Sequence, residues 1–259
     1  MAHSRRSEAR ATIAGRSLEY RWVGPDSARA PLVFLHEGLG SIELWREFPE
    51  TLCAAAGRRG LVYSRYGNGW SETLGDARQP TYMHDEARVV LPELLETLVD
   101  RTPILVGHSD GASIALIFAG SGHAAEGLVL IAPHVFVEDR SLGGINATLE
   151  EFRSTDLATR MAKYHHDPGA TFRGWNDIWL HPSFRDWNIE EFLSPIECPV
   201  LLIQGESDEF GTRAQLHSIE SQLSGPTKRL LIEEAGHSPH LSHPVPVTGA
   251  AVAFLSQLP

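Results

Sequence analysis

Ser109 stands between Gly107 and Gly111 in the stretch ILVGHSDGAS, residues 104–113, with G-x-S-x-G spacing. A serine hydroxyl is a weak nucleophile at neutral pH and needs a base to take its proton and an acid to orient that base. The two glycines let a strand and a helix approach closely while the serine backbone is held in an unfavourable conformation. The N–H of Asp110, opening the helix that follows, then points toward developing negative charge. Candidates for the acid and the base come later in the chain. Asp208 lies in ESDEF just after the apolar run PVLLIQG, and His237 lies in AGHSPH just after KRLLIEE. Asp208 is flanked by Glu206 and Glu209, each an alternative acid. The chemistry is acyl transfer, with a serine nucleophile, an imidazole base and a carboxylate behind it.

These residues need elements that deliver them to one place. From Pro31 onward, short apolar runs alternate with glycine-containing turns and helix-like segments. The runs PLVFLH (31–36), GLVYSR (60–65), PILVGH (103–108), GLVLIA (127–132), PVLLIQG (199–205) and KRLLIEE (228–234) predict strands covered on both faces. Helices are expected over 42–57, 82–99, 111–121, 212–223 and 246–258, with Pro92 kinking or restarting the second. The fold class is therefore α/β, a mostly parallel sheet with flanking helices, in one domain over 1–259. The rhythm lapses between Pro133 and Pro195, where helix-like stretches hold Trp175, Trp179 and Trp187. We expect residues 134–194 to form a helical cap inserted in the domain. The start, MAHSRRSEARATIAGRS, is polar and is expected to be loose.

The order Ser, Asp, His, each after a predicted strand, resembles the α/β-hydrolase superfamily from about Leu18 to Leu258. GHSDG is similar to its nucleophile elbow, GESDEF to its acid loop and AGHSPH to its histidine loop. LHEGLGS (35–41) resembles the His-Gly-x-x-Gly turn that supplies a second oxyanion donor, which the resemblance assigns to the Gly38 N–H beside that of Asp110. SRYGNGWS (64–71) resembles a structural Arg-Gly-x-Gly-x-Ser turn. Two positions depart from the pattern. Tyr66 replaces a glycine, and so does Glu37, whose carboxylate would oppose an oxyanion unless it turns away or meets a cation.

A formal net charge of −11 leaves no basic footprint for nucleic acid and disfavours anionic membrane surfaces. No apolar run reaches the length of a membrane span or a secretory leader core. Cys53 and Cys198 have no metal or redox spacing and read as buried thiols in a reducing, cytoplasmic setting. His237 with His240, and His165 with His166 and Asp167, lack a third ligand, so neither metal nor cofactor is expected. The sequence specifies no oligomeric state. The expected partner is a small-molecule substrate: a largely apolar carboxylic ester or related acyl compound, cleaved by Ser109, His237 and Asp208. Glu37, Trp175 and Trp179 are candidates for binding it. Cleavage of a lactone, thioester, amide or carbon–carbon bond, cofactor-free dioxygenation, and ligand reception on the same fold are the alternatives.

Overall fold

The computed structural model describes residues 9–259. Strands β1 (Ala9–Ile13) and β2 (Arg16–Val23) form an antiparallel hairpin, turned by Ala14 and Gly15 at φ 48° and 73°. The loose start expected from the sequence therefore fails from residue 9; residues 1–8 lie outside the described residues. The hairpin was hidden because it is a sheet edge. Arg10 and Arg16 face solvent, while Ile13, Leu18 and Val23 enter the core and Ala11, Tyr20 and Trp22 are only partly covered.

The remaining strands are β3 (Leu32–Leu35), β4 (Gly60–Tyr63), β5 (Ile104–His108), β6 (Gly127–Ile131), β7 (Val200–Gly205) and β8 (Thr227–Ile232). They pair in parallel, and the eight-stranded order is β1-β2-β4-β3-β5-β6-β7-β8. Every residue of β3 to β7 is buried, which is why these strands read as unbroken apolar runs. Side chains still alternate between two cores. Val33 and Leu35 of β3 enter one, and Leu32 and Phe34 enter the other.

The helix expected over 42–57 is split. A 3-10 turn at Ile42–Trp45 ends at Arg46, whose φ of 56° cannot continue a helix, and α1 (Phe48–Ala56) starts anew. Around Pro92 the helix runs on without a break. Helix α2 (Tyr82–Asp85) passes through a π-turn at Glu86–Val90 into α3 (Leu91–Leu98), accommodating the missing proline N–H. Helix α4 (Asp110–Gly120) follows β5. Between β6 and β7 run α5 (Asp139–Ser154), α6 (Leu157–Met161), α7 (Pro168–Trp179) and two 3-10 turns, with no strand. Helices α8 (Arg213–Gln222), α9 (Pro239–Ser242) and α10 (Pro244–Leu255) complete the chain. Among the described residues no helix is long and apolar enough to cross a membrane.

Strand β3 lies between β4 and β5, so the chain leaves it toward one side of the sheet and later returns on the other. Such a reversal opens a crevice at the carboxyl ends of the strands, where an open parallel sheet takes its ligands. Residues 36–38 and Ser109 are placed there.

Candidate active site

Ser109 sits in the bend between β5 and α4 at φ 53° and ψ −118°, a strained conformation for a residue with a side chain. The bend is held because its N–H donates to the Ile131 carbonyl at 2.9 Å. The flanking glycines leave no room for a side chain. A Cβ on Gly107 would lie 2.5 Å from the Gly111 carbonyl oxygen, and one on Gly111 only 1.9 Å from that of Leu35. Asp110 opens α4, so its N–H has no partner within the helix.

The loops after β7 and β8 bring together a carboxylate and an imidazole. The Nδ1 of His237 lies 2.9 and 3.0 Å from the two carboxylate oxygens of Asp208. That carboxylate also accepts from the Phe210 and Gly211 backbone N–H groups at 2.8 and 3.2 Å and from Gln204 Nε2 at 3.3 Å. Burial acts to raise the Asp208 carboxyl, but His237 and these donors outweigh it and hold it at about 2. Burial acts to lower the His237 imidazole, and the Asp208 charge outweighs that, raising it above the ordinary histidine value. The neighbouring glutamates do other work. Glu206 pairs with Arg213 at the surface, and Glu209 accepts the backbone N–H of His237 at 3.1 Å.

The turn after β3 is fixed by the turn after β4. His36 donates from Nδ1 to the Glu37 carbonyl at 2.6 Å and accepts the Arg65 N–H at Nε2 at 2.9 Å, so its ring is neutral. The Arg65 guanidinium donates to the carbonyls of His36 and Glu37, and Asn68 Nδ2 donates to those of Gly38 and Gly40. The carbonyls of the turn are thus engaged from one side. On Gly38 lies the indole of Trp175, so close that a Cβ there would be 2.0 Å from its Cδ1.

Glu37 turns its carboxylate toward His108, whose Nδ1 is 3.5 Å from Oε2. The opposite nitrogen of that ring, Nε2, lies 2.9 Å from the carbonyl oxygen of His237. His108 therefore bridges the turn after β3 and the loop after β8, a role its place in GHSDG alone did not reveal. A second link runs through Tyr82. Its hydroxyl donates to Asp110 Oδ2 at 2.7 Å and accepts the Trp179 indole N–H at 3.0 Å, while buried Arg65 stands 3.6 Å from the same carboxylate. Nothing local marks Tyr82, since its partners are 28 and 97 residues away.

A cavity of about 190 Å³ is lined by Glu37, Gly38, Leu39, Ser109, His134, Ser141, Ile145, Thr148, Trp175, Trp179, Phe210 and His237. Seven of the eight site residues expected from the sequence meet here or beside it: Ser109, His237, Glu37, Gly38, Trp175 and Trp179 line the cavity, and Asp208 stands behind His237. Asp110, the eighth, follows Ser109 directly. Leu39, His134 and Phe210 were missed, as were Ser141, Ile145 and Thr148. The last three share one face of α5 at i, i+4, i+7 spacing, the available signal. Burial holds the His134 ring neutral, down at about 3. The histidines that suggested a metal have other partners. His165 accepts the Gly69 N–H at 2.9 Å, and His240 packs on Trp45 and Phe48.

The chain is similar to three known proteins. A proline iminopeptidase from Lactobacillus helveticus is 33% identical over 116 residues, 45% of this chain and 39% of that protein, so the match spans less than half the relative's length. A pimeloyl-[acyl-carrier protein] methyl ester esterase from Xylella fastidiosa is 25% identical over 205 residues, 66% of this chain and 78% of that one. The crystal structure of a proline iminopeptidase from Mycobacterium smegmatis shares the fold, with a TM-score of 0.78 over 97% of this chain and 98% of that one at 18% identity. The model of the alpha/beta hydrolase family matches residues 32–250, and this chain belongs to that family.

Proposed function

We propose that the protein is a serine hydrolase that cleaves a small, largely apolar carboxylic ester or related acyl compound through an acyl-enzyme. The observation that carries this reading is the Asp208–His237 pair, with Nδ1 occupied by the carboxylate and the ring lining the same cavity as Ser109 in its strained bend. In the first half-reaction Ser109 Oγ adds to the substrate carbonyl as its proton passes to His237 Nε2. Asp208 fixes the tautomer and stabilises the imidazolium, and the N–H groups of Gly38 and Asp110 receive the oxyanion. His237 returns the proton to the leaving group. Water then attacks the acyl-enzyme with His237 again as base, releasing the acid and restoring Ser109.

The size and lining of the cavity support a small substrate. Its volume of about 190 Å³ is below the range of drug-sized ligand sites. Indole and phenyl faces make up much of its wall, from Trp175, Trp179 and Phe210. In this reading residues 134–194 act as a cap that selects the substrate, and the protein works in the cytoplasm. The test is turnover of 4-nitrophenyl esters of increasing chain length, followed from the first milliseconds. We expect acetate to butyrate to be the better substrates, with a burst of nitrophenolate equal to the enzyme concentration wherever deacylation is the slower step. Oxygen uptake without ester cleavage would contradict the reading in favour of the dioxygenase alternative.

A further inference from the structure

The cavity beside Ser109 has an uneven set of polar groups. Among the twelve residues that line it, Glu37 carries the single fixed charge, and no lysine or arginine is present. The arginines between β6 and β7 are occupied elsewhere. Arg140 donates to the Asp208 carbonyl, Arg153 pairs with Glu150, Arg160 with Glu151 and Asp156, and Arg185 with Asp139, while Arg173 lines a separate cavity of about 410 Å³. No lysine or arginine of this segment therefore stands in the cavity wall to meet a substrate carboxylate or phosphate.

The hydroxyls in the wall point the same way. Ser141 Oγ donates to the Phe210 carbonyl at 2.6 Å, and Thr148 Oγ1 donates to the Gly144 carbonyl at 2.9 Å. With their protons spent on the backbone, both present only lone pairs to a ligand. Glu37 adds a carboxylate whose Oε2 faces His108 at 3.5 Å, a long contact, while 28% of the side chain remains exposed. Burial would raise the Glu37 carboxyl, and the His108 ring more than offsets it, holding the group well below the usual carboxylate range. The rings of Trp175, Trp179 and Phe210 line the same cavity as Glu37, and aromatic faces attract cations. Away from the oxyanion donors, the wall offers hydroxyl lone pairs, one carboxylate and aromatic rings, which complement a positively charged group.

We infer that Glu37 and this aromatic wall recognise an ammonium group, so that the substrates are small amine-bearing esters or amides. The inference rests on the hydrolase reading and names its substrate class. The Glu37 carboxylate, which has only the long contact to His108, then gains a closer counter-ion when the substrate is bound.

Two matched pairs test it. Alanine and leucine methyl esters with free amines, against their N-acetyl forms, place the charge on the acyl part. Acetate esters of 2-(trimethylammonio)ethanol and of 3,3-dimethylbutanol, nearly identical in shape, place it on the leaving alcohol. We expect the charged member of at least one pair to be favoured by roughly tenfold or more in kcat/KM. That ratio should fall to within about threefold of unity in Glu37→Gln and persist in Glu37→Asp, which keeps the charge. Because each variant is judged by a ratio, loss of folded enzyme does not imitate the effect. Ratios near unity in the wild type, or a preference that survives Glu37→Gln, would overturn the inference. Cleavage of neutral esters without preference would sink the substrate class alone; failure to cleave any ester or amide would sink the hydrolase reading itself.

Discussion

The loops at the carboxyl edge of the sheet and the helical segment above them are held by different forces. The loops are fixed by directed polar contacts, with five hydrogen-bond contacts on the Asp208 carboxylate and four from Arg65 and Asn68 on the turn at 36–40. The segment between β6 and β7 has scattered hydrogen bonds, such as Trp179 to Tyr82 and Ser141 to the Phe210 carbonyl, and adds extensive ring packing. Phe152 stacks on Phe172 with centroids 3.8 Å apart, Phe184 stacks on Trp187 at 5.3 Å, and Trp179 meets Phe184 edge-on at 5.0 Å. Hydrogen bonds specify angle and distance, whereas apolar burial is non-directional and tolerates substitution at similar volume. The proposed function puts the chemistry where geometry is tightly specified and the choice of substrate where it can be retuned. Tyr82 joins the two regions through Asp110 and Trp179.

The sharpest test of that division removes the nucleophile. Ser109→Ala should lower kcat by at least about a thousandfold and leave the melting temperature nearly unchanged, since one oxygen leaves a bend that its backbone holds. Residual turnover well above that level, measured on a short 4-nitrophenyl ester, would move the chemistry to another group. Asp208→Asn should cost a similar factor, on the order of a thousandfold or more, by spoiling the tautomer of His237. Glu206→Gln should be near wild type because its partner Arg213 lies at the surface, and Glu209→Gln should lose only severalfold through a loosened histidine loop. An equal or larger loss at either glutamate would reassign the acid.

These expectations divide along what could be seen in the sequence. The central strands were legible because burial on both faces leaves apolar runs; the candidates Ser109 and Asp208 each follow such a run within a few residues, and His237 follows β8, an edge strand whose leucines are only partly covered. The edge hairpin was not, since β1 shows solvent more than core. Arg46 broke a helix that periodicity alone would have continued. Of the site, His108 and Tyr82 were invisible in role, because the bridges they make depend on where residues 129 and 97 positions away come to rest. The face of α5 carrying Ser141, Ile145 and Thr148 has helical spacing, yet nothing in that spacing says which side of the helix meets a ligand.

Effects in the helical segment should be smaller and of another kind. Trp175→Ala or Trp179→Ala should shift the relative kcat/KM of short aryl against branched alkyl esters by about tenfold, roughly 1.4 kcal/mol, while the rate with the best substrate changes less. An unchanged ranking in both variants would take specificity away from this segment. Tyr82→Phe breaks the link between the regions and leaves a buried carboxylate oxygen and an indole N–H short of a partner. It should lower the melting temperature by roughly 3–6 °C, corresponding to about 1–2 kcal/mol.

The pH profile separates the base from its surroundings. His237 acts as a base only when neutral, and the Asp208 charge raises its ionisation above the ordinary histidine value of about 6.5. Activity should therefore be lost as pH falls through a single midpoint above about 6.5 and be complete on the alkaline side. Asp208→Asn removes the raising charge, so its residual activity should show a midpoint displaced to lower pH. A wild-type profile flat from about pH 5 to 9, with chemistry limiting the rate, would contradict the role given to His237.

The most direct test of the central claim is covalent labelling with a fluorophosphonate, followed by mapping of the modified peptide. We expect one label per chain, on Ser109, formed in step with the loss of ester hydrolysis and absent from Ser109→Ala. Labelling at another residue, or undiminished labelling and turnover in Ser109→Ala, would contradict the account.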